Sequence, residues 1–130
     1  RIARHDGWIC RSSGTSPDII AGDINSVTNY LQPRRNMDNF TVSHAQWLHI
    51  VPSTNREKII DEQLRAYRTV MDKKRSDEHL QHAYLFGSID EMIERIREIK
   101  RSSVQHLIIN PVTDDPAQIE LFATEILPNI

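Results

Sequence analysis

Six histidines, one cysteine and one hydroxyl-rich turn are the residues of this chain whose types could carry chemistry. The histidines are His5, His44, His49, His79, His82 and His106, and no two stand at metal-ligand spacing on a helix face. His44 and His49 lie five apart on one candidate strand, which sends them to opposite faces. His79 and His82 sit in a polar stretch without a suitable carboxylate cluster. A zinc site is therefore not expected. Cys10 has no second cysteine two or three residues away. A nucleophilic thiol needs a base beside it, so Cys10 reads as a small buried apolar residue.

The turn Arg11-Ser12-Ser13-Gly14-Thr15 is the strongest candidate site. It combines a cation, hydroxyls and a glycine, and it runs into Ser16-Pro17, a helix N-cap and first helical position. Backbone amides at such a start can hold a phosphate or carboxylate. Arg56 is the other cation in a loop that follows a candidate strand. The loop Asn110 to Asp115 is acidic, which suits a helix cap better than an anion site. No dinucleotide fingerprint, Walker loop or nucleophile elbow is present in the sequence.

These residues need elements to position them. Trp8-Ile9-Cys10 reads as a short strand, and Ile20, Ile24, Val27 and Leu31 mark one stripe of the following helix. Phe40 to Val51 is the longest strand candidate, with apolar residues of both parities. Ile60, Leu64, Tyr67 and Met71 define the next helix face. Residues 72–84 are polar and read as a linker, and Lys73-Lys74-Arg75 within them as a solvated run. Ser88-Ile89-Asp90-Glu91 is a capping box for a helix that buries Ile89, Met92, Ile93, Ile96 and Ile99. Leu107-Ile108-Ile109 is a third strand. Asp115-Pro116 caps a closing helix carrying Ile119, Phe122, Ala123, Ile126 and Leu127.

Strands alternating with helices predict an α/β fold with a parallel sheet. Three strands are few for such a sheet, so the expectation is one partial domain over residues 1–130. Composition agrees with a soluble domain: 38% hydrophobic and 26% charged residues, with a net charge of −2. Nothing in that charge points to nucleic acid. No apolar run is long enough to span a membrane, and a single cysteine fits a reducing compartment. The cytoplasm is the expected location.

Four segments carry a resemblance to the luciferase-like flavin and deazaflavin oxidoreductases. Ala3-Arg4-His5-Asp6-Gly7-Trp8 resembles the approach to that family's sixth strand. Phe86-Gly87-Ser88-Ile89-Asp90-Glu91 resembles the start of its late helix, and Leu107 to Pro111 its eighth strand. Ile119 to Pro128 is similar to its closing helix. The resemblance implies the C-terminal portion, about strands six to eight with their helices, of a (β/α)8 TIM barrel. It implies FMN or the deazaflavin coenzyme F420 as cofactor, bound only with the rest of the barrel, and a small-molecule substrate. Deazaflavin would bring hydride transfer, and reduced FMN monooxygenation. Asp6 to Ser12 is especially similar to a stretch of deazaflavin-dependent sugar-phosphate dehydrogenases in which the following loop binds substrate phosphate. Arg11 and Ser12 match by position, whereas Ser13-Gly14-Thr15 lacks that group's lysine.

Two other readings stay open on the residues alone: the phosphate-binding half of an unrelated TIM-barrel enzyme, and a non-enzymatic α/β interaction module. A three-strand slice leaves two open edges and a bare inner face. The expected partner is therefore the missing N-terminal half of the barrel or a second copy. Trp47, Leu48 and Ile50 are expected on the inner face, and the chain alone is expected to be inactive.

Overall fold

A computed structural model of the chain describes residues 2–11, 14–71 and 74–130. Three strands form one parallel sheet in chain order: β1 (Gly7–Ile9), β2 (Thr41–Leu48) and β3 (His106–Pro111). Gly7 pairs with Thr41, Ser43 with His106 and Leu48 with Pro111. Helix α1 (Pro17–Leu31) connects the first two strands, and α2 (Arg56–Val70), α3 (Asp77–Ala83) and α4 (Ile89–Arg101) connect the second and third. A short helix α5 (Ala117–Leu121) follows β3 and continues as a π-helical turn over Phe122–Ile126.

Burial alternates along β2. Val42, His44, Gln46 and Leu48 are buried, while Ser43, Ala45 and Trp47 are half-exposed. The buried face meets α1 through Ile20, Ile24 and Leu31, and meets α4 and the closing turn through Met92, Ile96 and Ile126. Each of those side chains contributes about 1.5–3 kcal/mol when fully buried. Among the described residues the other face has no such cover, although Trp47 reaches the aromatic cluster of Tyr67, Tyr84 and Phe86. The expectation, from its apolar residues of both parities, of a strand buried on both sides is thus corrected to one packed face and one half-open face. Trp47 lies on the open face as expected. Leu48 and Ile50 do not: they are 0% and 1% exposed and pack among the side chains of α4.

The helix stripes follow the sequence closely in α1 and α4. The capping box of α4 is complete, with Ser88 Oγ accepting from Glu91 N and Glu91 Oε2 accepting from Ser88 N at 2.8 Å. Gly87 has φ +93°, and a Cβ there would run into the Glu91 carboxylate that closes the box. In α2 the buried stripe is Ile59, Gln63, Ala66 and Tyr67, one residue round from the apolar stripe. Gln63 draws the helix that way. Its amide spans the carbonyls of His49 and Gly87 and the Gly87 N–H, at 2.9–3.0 Å. Ile119 of α5 and Leu127 beyond it are 55% and 54% exposed, and Gln118 of α5 is buried. Gln118 closes both backbone groups of Ile50, accepting from its N–H at 2.6 Å and donating to its carbonyl at 3.1 Å.

The stretch 72–84 expected as a linker carries α3. Ser76 caps it by accepting from His79 N, and Leu80 and Ala83 are buried beneath it. Two apolar anchors in a polar sequence suffice, because the segment after them docks on the sheet. Leu85 N donates to Trp47 O, beside the upper part of β2 that β1 is too short to cover.

Candidate functional site

The carboxyl ends of the three strands lie at one end of the sheet, since all three run parallel. In α/β folds ligands gather at that end. The turn after β1 starts with Cys10, whose N–H makes the last ladder bond to Ser43 O at 2.8 Å. The Cys10 thiol donates to the same carbonyl at 3.1 Å and is 2% exposed. Burial pushes the thiol up from its ordinary value, so it stays protonated and is a poor nucleophile. An imidazole does stand beside it: His44 Nδ1 is 3.5 Å from Cys10 Sγ. Burial pushes that imidazole down, so the pair is a neutral thiol against a neutral ring.

Arg11 forks onto Asp23 of α1 at 3.0 and 3.2 Å. Its side chain is 60% exposed and folds back along the first helix. Ser12 and Ser13 lie outside the described residues. Gly14 takes φ +102°, a left-handed turn that a side chain would resist. Its backbone sits against the Tyr84 hydroxyl and the Arg75 guanidinium, both of which a Cβ would touch. Thr15 and Ser16 are 8% and 7% exposed, and the Ser16 hydroxyl makes no capping bond to α1.

The cation beside this turn is therefore Arg75, from the run read as a solvated linker. Arg75 donates to Tyr84 Oη and lies over the Tyr84 ring, 5.9 Å from its centre. Sequence spacing could not reveal it, because α2 and α3 return the chain to the first turn across a long separation. Arg56, the other expected cation, pairs with Glu91 at 2.5 Å, and this holds the Glu91 carboxyl below its ordinary value.

At the ends of β2 and β3 two buried side-chain atoms have no hydrogen-bond partner among the described residues: His49 Nδ1 and Thr113 Oγ1. Burial lowers the His49 imidazole, and the carboxylates of Glu62 and Asp115 act against that. Asp115 itself caps the next helix by accepting from Ala117 N at 3.0 Å. No group of three or more metal-ligating side chains occurs among the described residues.

No protein-family model matches the chain, and no curated protein sequence matches it. Solved structures do. An F420-dependent secondary alcohol dehydrogenase, solved in complex with an F420-acetone adduct, superimposes with a TM-score of 0.65 over 89% of this chain at 15% identity. A riboflavin lyase, solved with modified FMN and its substrate riboflavin, superimposes with a TM-score of 0.59 over 90% of this chain at 14% identity. The chain spans 41% of the first and 37% of the second. The likeness is one of fold: a larger barrel-like protein contains this arrangement of strands and helices as a part. Among the described residues no helix is long and apolar enough to cross a membrane.

Proposed function

We propose that this chain is the C-terminal portion, about strands six to eight, of a luciferase-like (β/α)8 oxidoreductase that uses a flavin or a deazaflavin. The observation that carries the reading is the sheet itself. Three consecutive parallel strands bury one face under helices and leave Ser43, Ala45 and Trp47 of the other half-open, as a barrel segment would. The fold likeness to two flavin- or deazaflavin-binding proteins supports it.

In this reading the turn Arg11, Ser12, Ser13, Gly14 and Thr15 receives an anionic group of cofactor or substrate. Three features fit an anion there. Gly14 brings the backbone close to the Arg75 guanidinium, the Ser16 hydroxyl is not spent on capping, and Arg75 supplies positive charge. Arg11 joins only by leaving Asp23. When bound, the cofactor supplies the redox step: deazaflavin would take or give a hydride, and reduced FMN would activate dioxygen. The residues of this chain hold and orient it. They also keep Cys10 and His44 uncharged behind the turn.

The test is to produce the polypeptide together with the preceding part of its barrel and titrate it with FMN and with F420, following absorbance. Binding of one cofactor by the assembled barrel, and of neither by residues 1–130 alone, is the expected result. An assembled barrel that binds neither would overturn the reading.

A further inference from the structure

We propose that His44 is an acid-sensitive latch on Cys10 and Arg11, the residues that directly follow β1. The inference stands whether or not the turn they begin holds a ligand. His44 is 0% exposed, on the helix-covered face of β2. Its Nε2 lies 3.2 Å from Gln46 Nε2. An amide nitrogen can only donate, so His44 Nε2 is the acceptor and the ring proton sits on Nδ1. Two further contacts fix the orientation of the Gln46 amide. Its nitrogen donates to Ala83 O at 3.2 Å, and its oxygen accepts from Trp47 N at 3.3 Å. A flipped amide would set oxygen against oxygen and nitrogen against nitrogen.

On its other side the imidazole meets the Arg11 carbonyl and the Cys10 sulfur. A neutral His44 thus joins two segments through one buried chain, from Ala83 O through Gln46 to the start of the candidate turn. A second proton on the ring would point a donor at the Gln46 amide nitrogen. It would also place a cation on a ring that is 0% exposed, where the carboxylate of the neighbouring helix, Asp23, is already paired with Arg11. The groups around it are these: the Cys10 thiol and Arg11 carbonyl from the end of β1, the Ala83 carbonyl from α3, and Asp23 from α1, which is already forked to the Arg11 guanidinium. Protonation therefore breaks the chain, and Cys10 and Arg11 come away from β2 before the rest of the domain opens.

The chain has a single cysteine, so thiol labelling reads this one place. The experiment measures Cys10 protection as the labelling rate relative to the denatured chain at the same pH. Amide exchange in α4 is followed alongside. Below the ordinary imidazole range, protection of Cys10 should fall about tenfold per pH unit, as one-proton linkage requires, and should lie well below that of the α4 amides, which open only with the whole domain. His44→Gln supplies an acceptor and a donor without a titrating proton, and should make the profile flat. His49→Gln, past the other end of β2, should leave the step in place. Should His44→Gln not fold, the ring nitrogen shifts of His44 in the unaltered chain decide. The Nδ1–H form at neutral pH, converting to imidazolium in step with Cys10 release, is expected. The proposal is overturned by Cys10 protection equal to that of the α4 amides at every pH. A step that survives in a folded His44→Gln, or that vanishes in His49→Gln, overturns it too, as does an Nε2–H ring.

Discussion

Arg11 and Asp23 form a two-pronged ion pair, at 3.0 and 3.2 Å, between the turn after β1 and the second turn of α1. The pair engages the one cation of the candidate turn before any ligand arrives. Its stability value is small, because Arg11 is 60% exposed and its charge is well screened. Asp23→Ala should change the unfolding free energy by less than about 1 kcal/mol, measured by denaturant titration. In the assembled barrel the same change should strengthen binding of an anionic cofactor or substrate, since Arg11 is released. Weaker binding in Asp23→Ala would show that Arg11 needs its partner to stay in place.

Gln63 should be among the costliest polar residues to replace. Its amide satisfies the His49 carbonyl and both backbone groups of Gly87, with the side chain fully buried. Gln63→Leu keeps the volume and orphans all three groups. A loss of at least about 2 kcal/mol is expected on unfolding in urea. A loss within a few tenths of that for an exposed α2 position such as Glu57→Leu would contradict this.

Gly87→Ala tests the joint between the docked segment and α4. The left-handed φ of +93° and the Glu91 carboxylate both oppose a Cβ. The backbone term alone is about 1–2 kcal/mol. Ser88→Ala removes the neighbouring cap and should cost about 1 kcal/mol. Thermal melting of the two variants should therefore rank Gly87→Ala as the less stable.

Stability should fall on mild acidification. Burial lowers both His44 and His49 from their ordinary value of 6.5, so the unfolded chain binds protons that the folded chain refuses. The stability from these neutral rings is complete above 6.5 and is lost as pH drops from there toward their lowered folded values. Denaturant midpoints measured from neutral pH downward should decline through that window. In a His44→Gln/His49→Gln variant the decline should be shallower.

Much of the architecture was legible in the sequence, and the site was legible only in part. Parallel strands and the α4 cap could be read because apolar period and capping chemistry are local signals. Ile60 and Leu64 in α2 and Ile119 in α5 were each expected one residue away from the buried position for a shared reason. Gln63 and Gln118 are polar yet buried, each closing backbone groups that no strand neighbour covers. Periodicity counts such residues as solvent-facing. The burial of His44 and Gln46 on β2 was hidden in the same way. Arg75 was invisible for another reason: its place beside Gly14 depends on a tertiary return of the chain.

The central claim is that this chain completes a cofactor-binding barrel, and the most direct measurement is equilibrium binding of F420 and FMN to the assembled polypeptide and to an Arg75→Ala variant of it. The account predicts that one cofactor binds, and that replacing Arg75 weakens either that cofactor or the anionic substrate by about tenfold, the loss of one charge-assisted contact. Absence of binding by both cofactors, in an assembly that folds cooperatively, would contradict it.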